Sequence, residues 1–412
     1  MWSSDGLQIG AGEAASYLAK FGSPLFLFDE DLFVRRLRAL RLDAKAGGLR
    51  ARLLYSYKTN SVTALCQLAD REGYDAEVVS GPELRHALRL GVPGHRIVLN
   101  GPMKDEATLQ QAISEGVTIH ADSLDELEQI ARLTEASQRP VKAGARLQVD
   151  LGPDSWSKFG IEPAALLRWI EQRALPRNLE VVGLHMHIGT NITDPNRYAS
   201  PLREMLSSLQ AVERLLGHRL GYLDVGGGMA ASRAIPLETL PGDWLIPDPV
   251  EYFRVFSSEL EAAGRSSLEI LLEPGRLLVA PCMHYLCRVH CVKRSAGRTL
   301  VITDGNINHL PSAYYLRHPI VGLAARTGTI VRADIFGPVC TQFDNLGVDV
   351  ELPEPRPGDP LLIQDVGAYT LAFSNQFVLP RPPVVALSST AEPFLIRRRE
   401  DERAFWQDDL PL

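Results

Sequence analysis

Short apolar runs alternate with helix-period segments from about residue 50 to about residue 275. The runs cover 53–58, 75–80, 96–101, 117–122, 142–149, 181–188, 222–227 and 268–274, eight in all. Runs of this length read as buried strands, and the segments between them carry amphipathic helical spacing. SLDELEQIARL at 123–133 is one example. Ser123 with Glu126, and Ser80 with Glu83, have capping-box spacing, and Pro82 falls in a first turn where its missing N–H is harmless. Eight strand–helix repeats predict a (β/α)8 TIM-like barrel over 31–276, ahead of a doubly wound open sheet.

After residue 277 the pattern changes. MHYLCRVHCVKR, RTLVITDG, VRADIFGP and DPLLIQDVG are β-rich and separated by Gly, Pro and Asp. They predict a C-terminal β-sandwich or β-barrel domain over 277–412. SPLFLFDE at 23–30 reads as one more strand, in an N-terminal segment (1–30) assigned to the β domain.

A length of 412 residues agrees with two domains. The net charge of -7 gives no reason to expect a nucleic-acid or acidic-membrane partner. The one basic run, Arg397–Arg399, is followed at once by Glu400, Asp401 and Glu402 and reads as a solvated face. The N-terminus has no basic region followed by an apolar stretch, and no segment has the length of a membrane span. The five cysteines lack zinc-type pairing, and Cys282, Cys287 and Cys291 read as reduced core or near-core thiols. Together these features predict a cytoplasmic protein.

In a barrel of this kind the chemistry sits at the C-terminal strand ends. The first run ends in Lys58, within YSYKTN, in a chain with only 7 lysines against 36 arginines. Among Ser56, Thr59 and Asn60, this lysine is a candidate imine-forming amine. The second run ends in Ser80, the sixth in His185-Met186-His187 and Thr190, the seventh in Gly226-Gly227-Gly228, and the eighth in Glu273-Pro274-Gly275-Arg276. A glycine run after the seventh strand offers backbone N–H groups to a phosphate, and Arg276 is a charge-assisted donor for it. His185 and His187 alternate along a strand, so they face opposite ways. A metal-binding His-x-His pair is the secondary reading.

A lysine imine, phosphate-binding glycines, a flat ring and a carboxylate describe a pyridoxal phosphate site. Here the sequence resembles the fold-type III pyridoxal phosphate decarboxylases, the diaminopimelate and ornithine decarboxylase group with its alanine racemase-like barrel. DAEVVSGPEL, KFGI, HMHIGTN, DVGGGM, EPGR, GPVCTQFD, GAYT and LIRRRE follow YSYKTN in the family's order. The resemblance implies that Lys58 bonds to the cofactor and that His187 stacks on its ring. It implies that Glu273 pairs with the ring nitrogen. Gly226, Gly227, Gly228, Gly275, Arg276 and Tyr369 would hold the phosphate, with Ser80 and Thr190 nearby. Cys340 would protonate the carbon that loses carbon dioxide. Cys340 and Asp344 would come from a second subunit, giving a head-to-tail homodimer with shared sites. Glu273 favours decarboxylase over racemase, because a carboxylate keeps the ring nitrogen protonated.

Two stretches depart from the diaminopimelate enzymes. Cys340-Thr341-Gln342 lacks their carboxylate after the cysteine, and Leu310 stands where they place an arginine. A site that has lost polar contacts to a substrate's far end rejects that substrate strongly. The expectation is therefore a specialised decarboxylase acting on a siderophore or antibiotic intermediate, such as a citrate-linked diamino acid. His309, Arg317 and His318 are candidates for its anionic end, or else surface charges in a β loop. The alternatives are a diaminopimelate or other basic amino-acid decarboxylase of primary metabolism, and a non-catalytic pyridoxal phosphate-binding protein.

Overall fold

The computed structural model describes residues 7–135, 137, 139–152, 158–173, 175–230, 233–240, 244–324 and 329–410. The chain divides into two compact units. One holds 37–230 and 246–277, and the other holds 1–36, 231–245 and 278–412.

The first unit is a closed barrel of eight parallel strands: Ala51–Ser56, Asp75–Val78, Ile97–Leu99, Thr118–Ala121, Val141–Arg146, Leu179–His185, Tyr222–Asp224 and Glu269–Leu272. The eighth pairs with both the first and the seventh, which closes the ring. Every residue of the second, third and fourth strands is buried. Burial on both faces is the mark of a closed parallel barrel, and here it also encloses Asp75, Glu77, Thr118 and His120. Leu54, Val98, Tyr222 and Leu271 form a core cluster drawn from four strands.

The helix starts carry the capping groups read from the sequence. Ser80 Oγ accepts the Glu83 N–H at 3.4 Å, and Ser123 Oγ accepts that of Glu126 at 3.2 Å. The glutamates reach one residue further back than a standard box, to the N–H groups of Val79 (2.8 Å) and Asp122 (2.9 Å).

The second unit is built on a nine-stranded sheet. The strand Leu25–Asp29 lies inside it, antiparallel to Met283–Ser295 and parallel to Val384–Ser388. The helix Ala11–Phe21 adds Ala14 and Leu18 to a core of Leu25, Leu27, Leu286, Leu362 and Val385. The segment 231–245 belongs to this unit too, and Ile235–Pro236 pairs with Leu316–Arg317. Neither the helix nor this excursion was expected from the sequence: the helix carries a local period in Ala14, Tyr17, Leu18 and Phe21 that went unread, whereas pairing between chain-distant segments leaves none.

Candidate active site

The first barrel strand stops at Ser56, and Lys58 sits in the following turn, Tyr57–Thr59, rather than on the strand. Its Nζ lies 2.5 Å from Glu77 Oε2, which also accepts the Ser56 hydroxyl at 2.5 Å. Asn100 links this pair to the eighth strand. Its Nδ2 donates to Glu77 Oε1 at 3.1 Å and to Glu273 Oε1 at 2.5 Å. The sequence-predicted Lys58 and Glu273 thus share one hydrogen-bonded cluster.

The two histidines separate as their alternation requires. His185 lies in the barrel interior, its ring stacked on His120 at 5.0 Å and its Nε2 3.7 Å from Glu273 Oε1. His187 Nδ1 accepts the Gly227 N–H at 3.2 Å. The pair therefore does not converge on one point, as a His-x-His metal site requires. Burial first, with Lys58 and Arg146 adding, pulls the His187 pKa down to about 3, so its ring is a flat neutral imidazole. A cavity of about 330 Å³ lies beside it, lined also by Arg146, Phe159 and Glu204.

The glycine run is required by space. A Cβ on Gly226 would stand 2.6 Å from His187 Nδ1, one on Gly227 would strike the Glu273 carbonyl, and one on Gly228 the Gly189 carbonyl. Gly226 and Gly228 also have φ of +69° and +103°. Two of the three N–H groups are already engaged, however, Gly226 with Asp224 (2.8 Å) and Gly227 with His187 (3.2 Å). The expectation that the whole run offers free N–H donors to a phosphate is corrected accordingly. Gly275 packs against Thr59 and Ser56, and Arg276 is buried at the start of a short helix. Ser80 caps a helix, and Thr190 is exposed.

The remaining predicted residues lie in the second unit. Cys340 is exposed in the loop after Ile330–Phe336. Asp344, expected to contact substrate, is buried, and its oxygens accept the N–H groups of Ile307 (2.7 Å) and Val339 (2.8 Å). These two bonds pin the cysteine loop. Thr341 Oγ1 accepts the Phe343 N–H at 3.3 Å. His309 and His318 are not surface charges. His309 is buried against Tyr285 Oη at 2.9 Å, and His318 against Ser312 Oγ at 2.9 Å. Burial holds His309 down to about 4, so it is neutral and no natural partner for an anion. Arg317 is exposed and donates to the Leu237 carbonyl at 3.3 Å. Tyr369 has φ of +57° and packs its ring 5.6 Å from Phe373. Leu310 is fully buried.

Glu77, Asn100, His120 and Asp224 were missed as site residues. The available signal was a charged or amide group inside, or ending, an otherwise apolar run.

Residues 31–280 match the model of the pyridoxal-dependent decarboxylase family, its pyridoxal binding domain. The chain belongs to that family. It is 31% identical over 415 residues to a diaminopimelate decarboxylase of Actinosynnema pretiosum, covering 96% of this chain and 91% of that one. It is 28% identical to the enzyme of that name from Aquifex aeolicus, covering 92% and 90%. The crystal structure of diaminopimelate decarboxylase from M. jannaschii in complex with L-lysine superposes with a TM-score of 0.87 at 26% identity, over 97% and 94% of the chains. The protein is a pyridoxal phosphate-dependent carboxy-lyase. These relatives lend no support to the siderophore or antibiotic assignment. Among the described residues, no helix is long and apolar enough to cross a membrane.

The residues fit the cofactor. A flat neutral ring at His187, a buried carboxyl at Glu273 and a lysine amine at Lys58 are the groups the cofactor needs, and Gly226–Gly228 bring bare backbone close against His187 and Glu273.

Proposed function

We propose that this enzyme decarboxylates a free diamino acid of the diaminopimelate type, with Lys58 as the covalent anchor of the cofactor. The observation that carries this reading is the Lys58–Glu77–Asn100–Glu273 chain of hydrogen bonds at the strand ends. Glu77 holds the lysine amine at a fixed point. Glu273 offers a carboxyl for a ring nitrogen, and His187 a flat face oriented by the Gly227 N–H. When bound, pyridoxal phosphate supplies a sink for the electron pair released as carbon dioxide leaves. Gly228, Gly275, Arg276 and Tyr369 are the proposed phosphate-binding groups, with Gly226 and Gly227 shaping the turn through their bonds to Asp224 and His187.

Cys340 is the proposed proton donor to the reacting carbon. Its exposure suits a residue lent to the site of a second subunit, so we infer a homodimer with shared sites. Mixing Lys58→Ala and Cys340→Ala subunits tests this inference. Restoration of about a quarter of wild-type turnover is expected, since half of all dimers in an equal mixture are mixed and each of those carries one intact site of two. No restoration would mean that each subunit works alone.

The names of the relatives support the diaminopimelate reading. Thr341 and Leu310 favour the second reading, a citrate-linked or otherwise conjugated diamino acid, since Leu310 is buried and offers no charge to a distal carboxylate. Carbon dioxide release across both substrate types separates the two.

A further inference from the structure

Asp224 ends the seventh barrel strand and is fully buried, and Glu273, just past the end of the neighbouring eighth strand, is buried too. Ligand-type atoms of Asp224, Glu273 and His120 all lie within 4.8 Å of one another. Asp224 Oδ1 accepts the Gly226 N–H at 2.8 Å. Asp224 Oδ2 has no donor among the described residues as long as both carboxyls are ionised. His120 Nδ1 stands 3.9 Å away, beyond hydrogen-bond distance. Glu273 Oε1 accepts the Asn100 amide at 2.5 Å.

Among the described residues, the nearby cations are engaged with other acids. Lys58 is bonded to Glu77, Arg146 lies 3.4 Å from Asp122, and His120 and His185 are held neutral by burial. His120 Nε2 is engaged with Tyr222 Oη at 2.6 Å. Two ionised carboxylates this close, away from water, repel strongly, and an orphaned acceptor adds to the cost. One proton removes both problems. Carried by Glu273, it points at Asp224 Oδ2, while the Gly226 N–H keeps the negative charge on Asp224.

We propose that Asp224 and Glu273 share one proton, and that Asp224 is the positioning residue that keeps this proton on Glu273, from where it would pass to a bound ring nitrogen and leave Glu273 as the paired carboxylate. The electrostatics of the site agree. Burial first, then Asp224 and Glu77, push Glu273 well above the usual carboxyl range, against Lys58 and Asn100. Burial raises Asp224 to about 7, opposed by the Gly226 N–H and by the hydrogen bond from Glu273. The shared proton rests on the geometry of the barrel alone. Its use at the ring nitrogen rests on the reading of Glu273 proposed above.

The test is an infrared titration of the cofactor-free protein, read at the C=O band of protonated carboxyls. At about pH 8 the wild type keeps one such band. Glu83, raised to about 7, is largely ionised there. In Asp224→Asn, which keeps the shape but loses the charge, the band is expected to titrate at least about one pH unit lower, a tenfold loss of proton affinity. In Glu273→Gln it is expected to vanish. A band that titrates in Asp224→Asn where it does in the wild type overturns the proposal. If Asp224→Asn does not fold, persistence of the band in Glu273→Gln overturns it equally. A second readout separates the two layers. The visible absorbance of bound pyridoxal phosphate should change in Glu273→Gln. If it does not, while the infrared result holds, the shared proton stands and its use at the ring nitrogen falls.

Discussion

Lys58, Glu77, Asn100 and Glu273 are joined in the barrel by hydrogen bonds of 2.5–3.1 Å, and the last three are buried. In the β unit, Cys340 is exposed, Phe343 is 75% exposed, and the loop between them hangs on the buried Asp344. The barrel fixes its polar groups through one another, which is the preorganisation that electrostatic catalysis needs. The loop fixes its backbone and leaves the Cys340 and Phe343 side chains exposed. Substitutions in the two regions should therefore fail differently, by loss of chemistry in the barrel and by loss of protonation fidelity or stability in the loop.

Lys58→Ala is the strongest test of that contrast. It should abolish the visible absorbance of covalently held cofactor and all turnover, while folding persists. Full activity would end the assignment. Glu273→Gln keeps shape but removes the charge. Turnover should fall by about 10²-fold or more, the scale of one preorganised electrostatic partner, with substrate binding changed little. Cys340→Ala should slow product formation by about 10²-fold, the lower range for a general acid, and release some aldehyde from misprotonation. Unchanged rate and products would move the acid elsewhere. Asp344→Ala should act on stability first. Two buried N–H groups lose their acceptor, at about 1–3 kcal/mol each, read as a lower melting temperature. A variant as stable as wild type but altered in KM would return Asp344 to substrate binding.

The barrel was legible because its strands are buried on both faces, so each run stands out from the amphipathic helices around it. Lys58, the glycine run and Glu273 were legible because they fall at the ends of those runs. Glu77 and Asp224 were harder to see. They lie within the last residues of apolar runs, and only the folded ring brings them to Lys58 and Glu273. The contacts of Asp344 and His309 were hidden for a related reason. A polar residue near a motif looks available, and the sequence does not say that main-chain N–H groups or a tyrosine already engage it. The N-terminal helix Ala11–Phe21 and the 231–245 excursion join the β unit through contacts between distant segments, which no local period encodes.

The most direct test of the central claim is carbon dioxide release by the pyridoxal phosphate-loaded enzyme on meso-diaminopimelate, ornithine, arginine, lysine and a citryl-diaminopropionate conjugate. The account predicts turnover of meso-diaminopimelate as the preferred substrate, lost in Lys58→Ala. Turnover of the conjugate alone would contradict it and make Thr341 and Leu310 the marks of a reshaped site.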